Sequence, residues 1–285
     1  MIRAVIVDLD NTLYSWVNYI VPSLEAMVAS LCETTGFPRI RVVQSLKEVY
    51  ERHGTNDYAF AIQESSIFQE FHTDFDSFNA LVIEPAKKAF AHARGKYLVL
   101  YPGAREGLEA LRHAGLKIVG LTDSPRNSAE ARVRHLALEH DLDALYTLPG
   151  YALPESVDER IRKREIEGHY RLPIAVTELP LAFEKPHPGG LLQALGDLDL
   201  TPAEAIVIGD NRAKDGGTAR AAGCRWAWAE YGTYLSLEYR ERLDIMSARS
   251  VTRRHLAEPG EALIEPDWAI SNFRQVARII AAANQ

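Results

Sequence analysis

Two aspartates one residue apart, Asp8 and Asp10, follow directly on the apolar run Ala4-Val5-Ile6-Val7. Carboxylates at the end of a buried strand need water, a cation or hydrogen-bonding partners. In open α/β sheets the carboxyl ends of the strands are where a ligand site forms. Three further positions repeat the pattern. Thr122-Asp123-Ser124 closes a second apolar run, Gly209-Asp210 closes a third with Asp215 shortly after, and Lys185 sits in a loop between Glu184 and the Pro186-His187-Pro188 run. Transfer of a phosphoryl group accounts for this set. A phosphate monoester dianion repels an approaching carboxylate, so a cation must offset both charges. Magnesium takes oxygen ligands, keeps several waters and uses one or two carboxylates together with the substrate phosphate. Asp8 and Asp210 suit that role. Lys185 offers a compact positive charge and Thr122 a hydroxyl donor, with Asp123 beside it in the expected phosphate-binding set. Two aspartates one residue apart can divide the work of nucleophile and acid/base.

Strands and helices in alternation must position these groups. Residues 3–8 read as a buried strand, as do 117–122, 205–210, 224–229 and the short 268–271. Helical periodicity covers 104–113, a segment opened by Ser124-Pro125 as N-cap and first turn, a segment starting near Gly189, 213–222 ending at Gly223, and 273–282. Such βα alternation predicts a parallel sheet covered on both faces, an α/β doubly wound, Rossmann-like core. Residues 15–100 differ. The stretches 23–34, 40–53 and 78–93 carry apolar residues at helical spacing and strand-like runs are nearly absent, which predicts an all-helical domain inserted after the first strand. The core is then 1–14 and 101–285. Two charged stretches exceed a minimal α/β unit: 150–180, with Glu, Arg and Lys concentrated at 155–167, and 232–266, with Arg240, Arg242, Arg249, Arg253 and Arg254. Solvated faces or subunit contacts are the plain reading of both.

Composition limits the function classes. The 285 residues are 47% hydrophobic and 25% charged, with a formal net charge of -7. This acidity argues against a general nucleic-acid or anionic-membrane binder. It leaves phosphorylated substrates open, since a metal and a lysine reverse the field locally. Cys32 and Cys224 are far apart and lack metal-ligand spacing, so two incidental thiols are expected. No apolar run reaches the length of a membrane span, and Asp8 and Asp10 interrupt the N-terminal stretch before it could act as a signal segment. A reduced, cytoplasmic setting is the expectation, and homo-oligomerisation stays open.

The run Asp8-Leu-Asp10-Asn-Thr12-Leu, then Thr122, then Lys185-Pro186, then Gly209-Asp210 with Asp215, resembles the four ordered motifs of the haloacid dehalogenase superfamily, in its phosphatase branch. The resemblance covers nearly the whole chain. It implies that Asp8 is a nucleophile forming a phosphoaspartyl intermediate. Asp10 is then the acid for the leaving group and the base for water, and it also offers its backbone carbonyl to Mg2+. It further implies that Asp210 is a metal ligand, that Asp215 is a metal-shell or lysine-orienting carboxylate, and that Thr122 and Lys185 hold the phosphoryl group. The helical domain becomes a cap. The opening run is also similar to that of pyrimidine 5'-nucleotidase-like members. The spacing from Thr122 to Lys185 exceeds what one helix, strand and loop need, which departs from the compact family pattern.

The expected activity is Mg2+-dependent hydrolysis of a small soluble phosphate ester. A phosphomutase uses the same core residues, and a non-catalytic phosphometabolite-binding protein is the alternative outside enzymology. A dehalogenase gives Asp10 no task, because no alkoxide needs a proton, and no Schiff-base lysine marks a phosphonate-cleaving cap. His187 reads as a loop histidine between prolines. Arg126 and Asn127 read equally as substrate contacts or helix-start residues. In the helical domain Asp57 and Tyr58, in a polar loop with His53 and Asn56, are the candidates for reading the leaving group.

Overall fold

Strands β1 (Ala4–Val7), β2 (Lys117–Pro125), β3 (Ala144–Leu148), β4 (Ala175–Glu178), β5 (Ala205–Gly209), β6 (Arg225–Ala229) and β7 (Trp268–Ile270) form one sheet. Their order is β4-β3-β2-β1-β5-β6-β7, and every pairing is parallel. The computed structural model describes residues 1–69, 75–151, 171–247, 252 and 263–284. The longer helices are α1 (Trp16–Thr35), α2 (Arg39–His53), α3 (Glu84–Tyr97), α4 (Ala104–His113) and α5 (Arg126–His135). They continue with α6 (Gly189–Asp197), α7 (Asp215–Ala222), α8 (Leu237–Met246) and α9 (Val276–Ala283).

β1 is central because it is apolar on both faces. Its four residues are fully buried, and it pairs with β2 on one side and β5 on the other. A parallel strand covered by helices on both faces has no polar alternation. Ile6, Val119, Leu121, Val207 and Trp226 pack with Leu191, Ala194 and Leu195 of α6 and with Ala219 and Ala222 of α7. Each of the buried Ile, Val and Leu side chains contributes roughly 1.5–3 kcal/mol. Alternation sends Val5 and Ile118 to the other face. The strand order runs outward from β1 through β2, β3 and β4, then resumes on the opposite side of β1 with β5. The reversal makes a topological switch point at the carboxyl ends of β1 and β5, where ligand sites form. Both Asp8 and Asp210 lie one residue past those ends.

The chain divides into two units. One comprises Met1–Ser15, Leu100–Tyr234 and Ala257–Gln285, the other Trp16–Val99 and Leu235–Leu256. The first unit holds the sheet. Its two ends at the insertion are tied by a backbone bridge between Tyr14 and Leu100 and by Tyr101 N–H donating to the Leu13 carbonyl at 2.8 Å. The second unit is helical. α2 buries Val42, Val43, Leu46, Val49 and Tyr50 along one stripe and stops at Gly54, whose φ of 64° is the left-handed conformation of a helix end.

Several expectations need correction. Residues 235–256 were expected in the α/β core but belong to the helical unit: α8 buries Leu243 and Met246, and Arg242 pairs with Glu25 of α1 at 2.7 Å. Among the arginines of 232–266, Arg249, Arg253 and Arg254 lie outside the described residues. The 150–180 insertion contains β4, which extends the sheet beside β3, while its charged 155–167 stretch lies outside the described residues. α1 begins at Trp16 rather than Ser23 and carries Pro22 inside it. Burial of Trp16, Val17, Tyr19, Ile20 and Val21 outweighs the break a proline signals. Ser124 is no N-cap: β2 continues through Pro125, and the Ser124 hydroxyl is engaged elsewhere.

Candidate active site

Asp8 extends β1 by one residue, its N–H donating to the Ile208 carbonyl at 2.9 Å. The chain then turns through Asn11, at φ 58°, a left-handed conformation that asparagine tolerates better than most residues. Thr12 Oγ1 donates to Asp8 Oδ2 at 3.4 Å. Behind this turn lies the 230–233 segment, where Tyr231 OH donates to the Thr12 carbonyl at 2.6 Å. Gly232 is required there, since a Cβ would collide with the Asn11 carbonyl.

β2 reaches the site through an irregularity. Leu121 pairs with Tyr146 and Pro125 with Leu148, so four residues of β2 span two of β3. The three residues from Thr122 to Ser124 stand opposite Thr147 alone, so they leave the regular ladder. Thr122 is buried and its Oγ1 accepts from Ser124 N–H at 3.1 Å. Ser124 Oγ donates to Asp10 Oδ2 at 2.6 Å. The guanidinium of Arg132, on α5, reaches the same Oδ2 at 3.3 Å and also donates to Ser124 Oγ.

Lys185 crosses to the centre. Its buried ammonium lies 2.5 Å from Asp8 Oδ1 and 2.6 Å from Asp215 Oδ1. Asp215 opens α7 and accepts from Asn211 N–H at 3.0 Å, and Asn211 Oδ1 accepts from Ala213 and Lys214 N–H, each at 3.0 Å. Gly209 lets this happen, because a Cβ at that point of β5 would strike the Asp215 carboxylate. The Asp210 carbonyl accepts from Trp228 Nε1 at 2.8 Å.

Asp8, Asp210 and Asp215 each present a carboxylate oxygen within 4.8 Å of the others. Three carboxylates share one ammonium, and the imbalance shows in their acidity. Burial pushes the Asp8 carboxyl up to about 8 against the pull of Lys185, with Asp215 adding to the rise. Burial, then Asp215 and Asp8, raise Asp210 well above the carboxylate range. Lys185 is opposed by burial, but Asp215, Asp8 and Asp123 outweigh it and hold the ammonium protonated. Ionised together, the three carboxylates exceed the one ammonium, so without a further cation the group holds protons in an oxygen-only donor set. That is the chemistry a small divalent cation such as Mg2+ takes.

A haloacid dehalogenase-like hydrolase profile matches residues 2–223. The chain belongs to the haloacid dehalogenase-like hydrolases. The plasmid phosphoglycolate phosphatase of Cupriavidus necator is 27% identical over 236 residues, 80% of this chain and 81% of that protein. The glyceraldehyde 3-phosphate phosphatase of Pyrococcus furiosus is 29% identical over 158 residues, 55% of this chain and 53% of that protein, so the chain matches about half the length of this relative. The fold is also that of the 2-haloacid dehalogenase from Pseudomonas syringae pv. tomato DC3000, at 21% identity and a TM-score of 0.57 over 99% of each chain. Among the described residues no helix of this haloacid dehalogenase-like hydrolase is long and apolar enough to cross a membrane.

The structure brings together Asp8, Lys185, Asp210 and Asp215, with Asp10 and Thr122 on the adjoining turns. Of the expected metal set, Asp8 and Asp210 bring carboxylates together and Asp215 adds a third, while Asp10, expected to offer its backbone carbonyl, has its carboxylate held by Ser124 and Arg132. Asp123 faces protein donors: its Oδ1 accepts from Lys185 N–H and its Oδ2 from Lys214 Nζ, both at 3.0 Å. His187 accepts from Gly189 N–H at 3.0 Å and stacks on Phe183. Arg126 reaches Glu130 at 3.3 Å and Glu178 at 3.5 Å. In the helical unit Tyr58 stacks on His53 at 3.6 Å between centroids and donates to Glu64, while Asp57 accepts from Tyr19 OH at 3.4 Å. Sequence reasoning missed Ser124 as a partner of Asp10, Lys214 as a partner of Asp123, and Arg132 entirely. Ser124 had a signal, since it ends a motif-bearing strand. Arg132 had none, standing in a helix rich in Arg and His.

Proposed function

We propose that this hydrolase is a Mg2+-dependent phosphatase of a small phosphate ester, working through an aspartyl phosphate on Asp8. One observation carries the reading: Asp8 meets a buried ammonium and two further carboxylates, while Asp10, two residues on, is held apart from them. Asp8 attacks phosphorus, the bond to the ester oxygen breaks, and Asp10 gives that oxygen its proton. Asp10 then takes a proton from water as the water attacks phosphorus, the Asp8–phosphorus bond breaks, and inorganic phosphate leaves. Lys185 offsets the charge gathering on the phosphoryl oxygens. Thr122 accepts from a backbone N–H, which leaves its own hydroxyl proton for a phosphoryl oxygen. Asp123 sets the Lys185 loop by binding its backbone N–H. Asp8, Asp210 and Asp215 would hold Mg2+, which would supply the positive charge that keeps Asp8 ionised and screens the substrate dianion.

The names of the two relatives, a phosphoglycolate phosphatase and a glyceraldehyde 3-phosphate phosphatase, support small phosphorylated metabolites as substrates. A reducing, cytoplasmic setting accords with the free thiols of Cys32 and Cys224. The test measures inorganic phosphate released from p-nitrophenyl phosphate, phosphoglycolate and glyceraldehyde 3-phosphate, with Mg2+ or with EDTA. Asp8→Asn should lose at least about 10³-fold in kcat, the scale of losing a covalent nucleophile. Turnover that survives in Asp8→Asn, or that EDTA leaves intact, rejects the mechanism.

A further inference from the structure

We infer that Arg132 is a positioning residue for Asp10, acting with Ser124 to hold the proton-transferring carboxylate at one place in the site. Arg132 is 2% exposed and among the largest fully buried side chains of the protein. A buried guanidinium keeps its charge, and desolvating it costs several kcal/mol. Apolar packing of the same volume is often as stable or more so. The position of Arg132 on α5 therefore calls for a reason other than packing, and its contacts supply one. The guanidinium reaches Asp10 Oδ2 at 3.3 Å and donates to Ser124 Oγ, while Ser124 itself donates to the same Oδ2 at 2.6 Å.

The three groups come from three elements. Asp10 belongs to the turn after β1, Ser124 to the irregular end of β2, and Arg132 to the second turn of α5. Donors from two directions converge on one oxygen, so the carboxylate plane follows β2 and α5 rather than the torsions of Asp10 alone. The neighbouring acid on α5, Glu130, is engaged by Arg126, and Arg126 also reaches Glu178. Arg132 is thus directed to Asp10 while the adjacent ion pairs are satisfied among themselves. A displacement of about 1 Å in a reacting group can cost 10²-fold in rate, which is the scale on which such an anchor matters.

The inference rests on Asp10 being the proton-transfer group of the proposed phosphatase, and the experiment separates the two. kcat/KM is measured for p-nitrophenyl phosphate, whose phenolate leaves with little help from an acid, and for glycerol 2-phosphate, whose alkoxide needs a proton. Asp10→Asn should lower the alkyl-to-aryl ratio of kcat/KM; if it does not, the underlying reading of Asp10 fails. Given that split, Arg132→Met and Ser124→Ala should each lower the same ratio, Arg132→Met by about 10-fold or more. Arg132→Lys should recover part of it. Should Arg132→Met not fold, Arg132→Lys, which displaces the charge, must itself show the split alongside Ser124→Ala. Equal losses on the two esters in the folded variants, with the Asp10→Asn split intact, overturn the role of Arg132 alone.

Discussion

Replacing Lys185 with methionine should destabilise the α/β unit strongly, and a second substitution should give part of that stability back. The ammonium lies 2.5 Å from Asp8 and 2.6 Å from Asp215, and Asp210 completes a group of carboxylates within 4.8 Å. Removing one partner from a buried ion pair costs about 3–5 kcal/mol, because the remaining charge keeps its desolvation penalty. Here one cation serves two direct partners, so the upper part of that range is expected. Asp215→Asn in the same background removes one of the stranded charges and should recover about 2 kcal/mol, a coupling of the size seen between contacting groups. The pH dependence has a definite sign. Carboxyls whose folded pKa is raised, as Asp8 is to about 8, destabilise the fold above their unfolded pKa, and the penalty shrinks as they take up protons. In EDTA the wild type and Lys185→Met should therefore both be less stable at pH 7.5 than at pH 5.5. Urea unfolding in EDTA, followed by the fluorescence of Trp226, Trp228 and Trp268 in β6 and β7, reads the loss in Lys185→Met as a midpoint shift of about 1–2 M. Additive losses in the double variant, or stabilities that fall from pH 7.5 to pH 5.5, would refute the charge-balance account.

Asp123→Ala should lower kcat by about 10-fold, because the Lys185 loop loses its backbone acceptor. Lys214→Met removes half-buried ion pairs to Asp123 and Glu184 but leaves the Lys185 loop its acceptor, and should cost much less, so equal losses would remove the distinction. Burial pushes the Cys224 thiol up to about 11, so a disulfide reagent at pH 8 should modify Cys32 first and reach Cys224 only on unfolding. Peptide mapping that finds equal native labelling contradicts this. Asp57→Ala and Tyr58→Ala should change the order of preference across a phosphate-ester panel. Tyr58→Phe, which keeps the stacking on His53 and drops the bond to Glu64, separates ring packing from hydrogen bonding, and unchanged preferences reject the role.

The parts legible in the sequence are those where one residue type admits few physical explanations. Val5-Ile6-Val7 followed by Asp8 marks a buried strand ending at a rim, and Ile206-Val207-Ile208-Gly209-Asp210 repeats it. β3 and β4 were not legible. Ala144–Leu148 is brief, and Ala175–Glu178 is a half-exposed edge strand of four residues without the apolar density of a central strand. Ser124-Pro125 carries the signature of a helix start, yet a serine also serves a nearby carboxylate, and only the bulge in β2 decides between them. Arg132 is the extreme case. Six residues earlier on the same helix Arg126 is partly exposed, and nothing local separates a solvated arginine from one folded inward onto Asp10.

The helical unit is assembled from two separated stretches of chain, Trp16–Val99 and Leu235–Leu256. Its boundaries in space are therefore not its boundaries in the gene. A graft that moved Trp16–Val99 alone into another member of the family would leave behind α8, whose Arg242 grips Glu25 of α1 and whose Leu243 and Met246 are buried. The transplanted piece would carry an uncovered apolar face, and the donor would keep an orphaned helix. Exchange of this module requires cutting the chain in four places, which makes the unit heritable only together with the segment that follows β6.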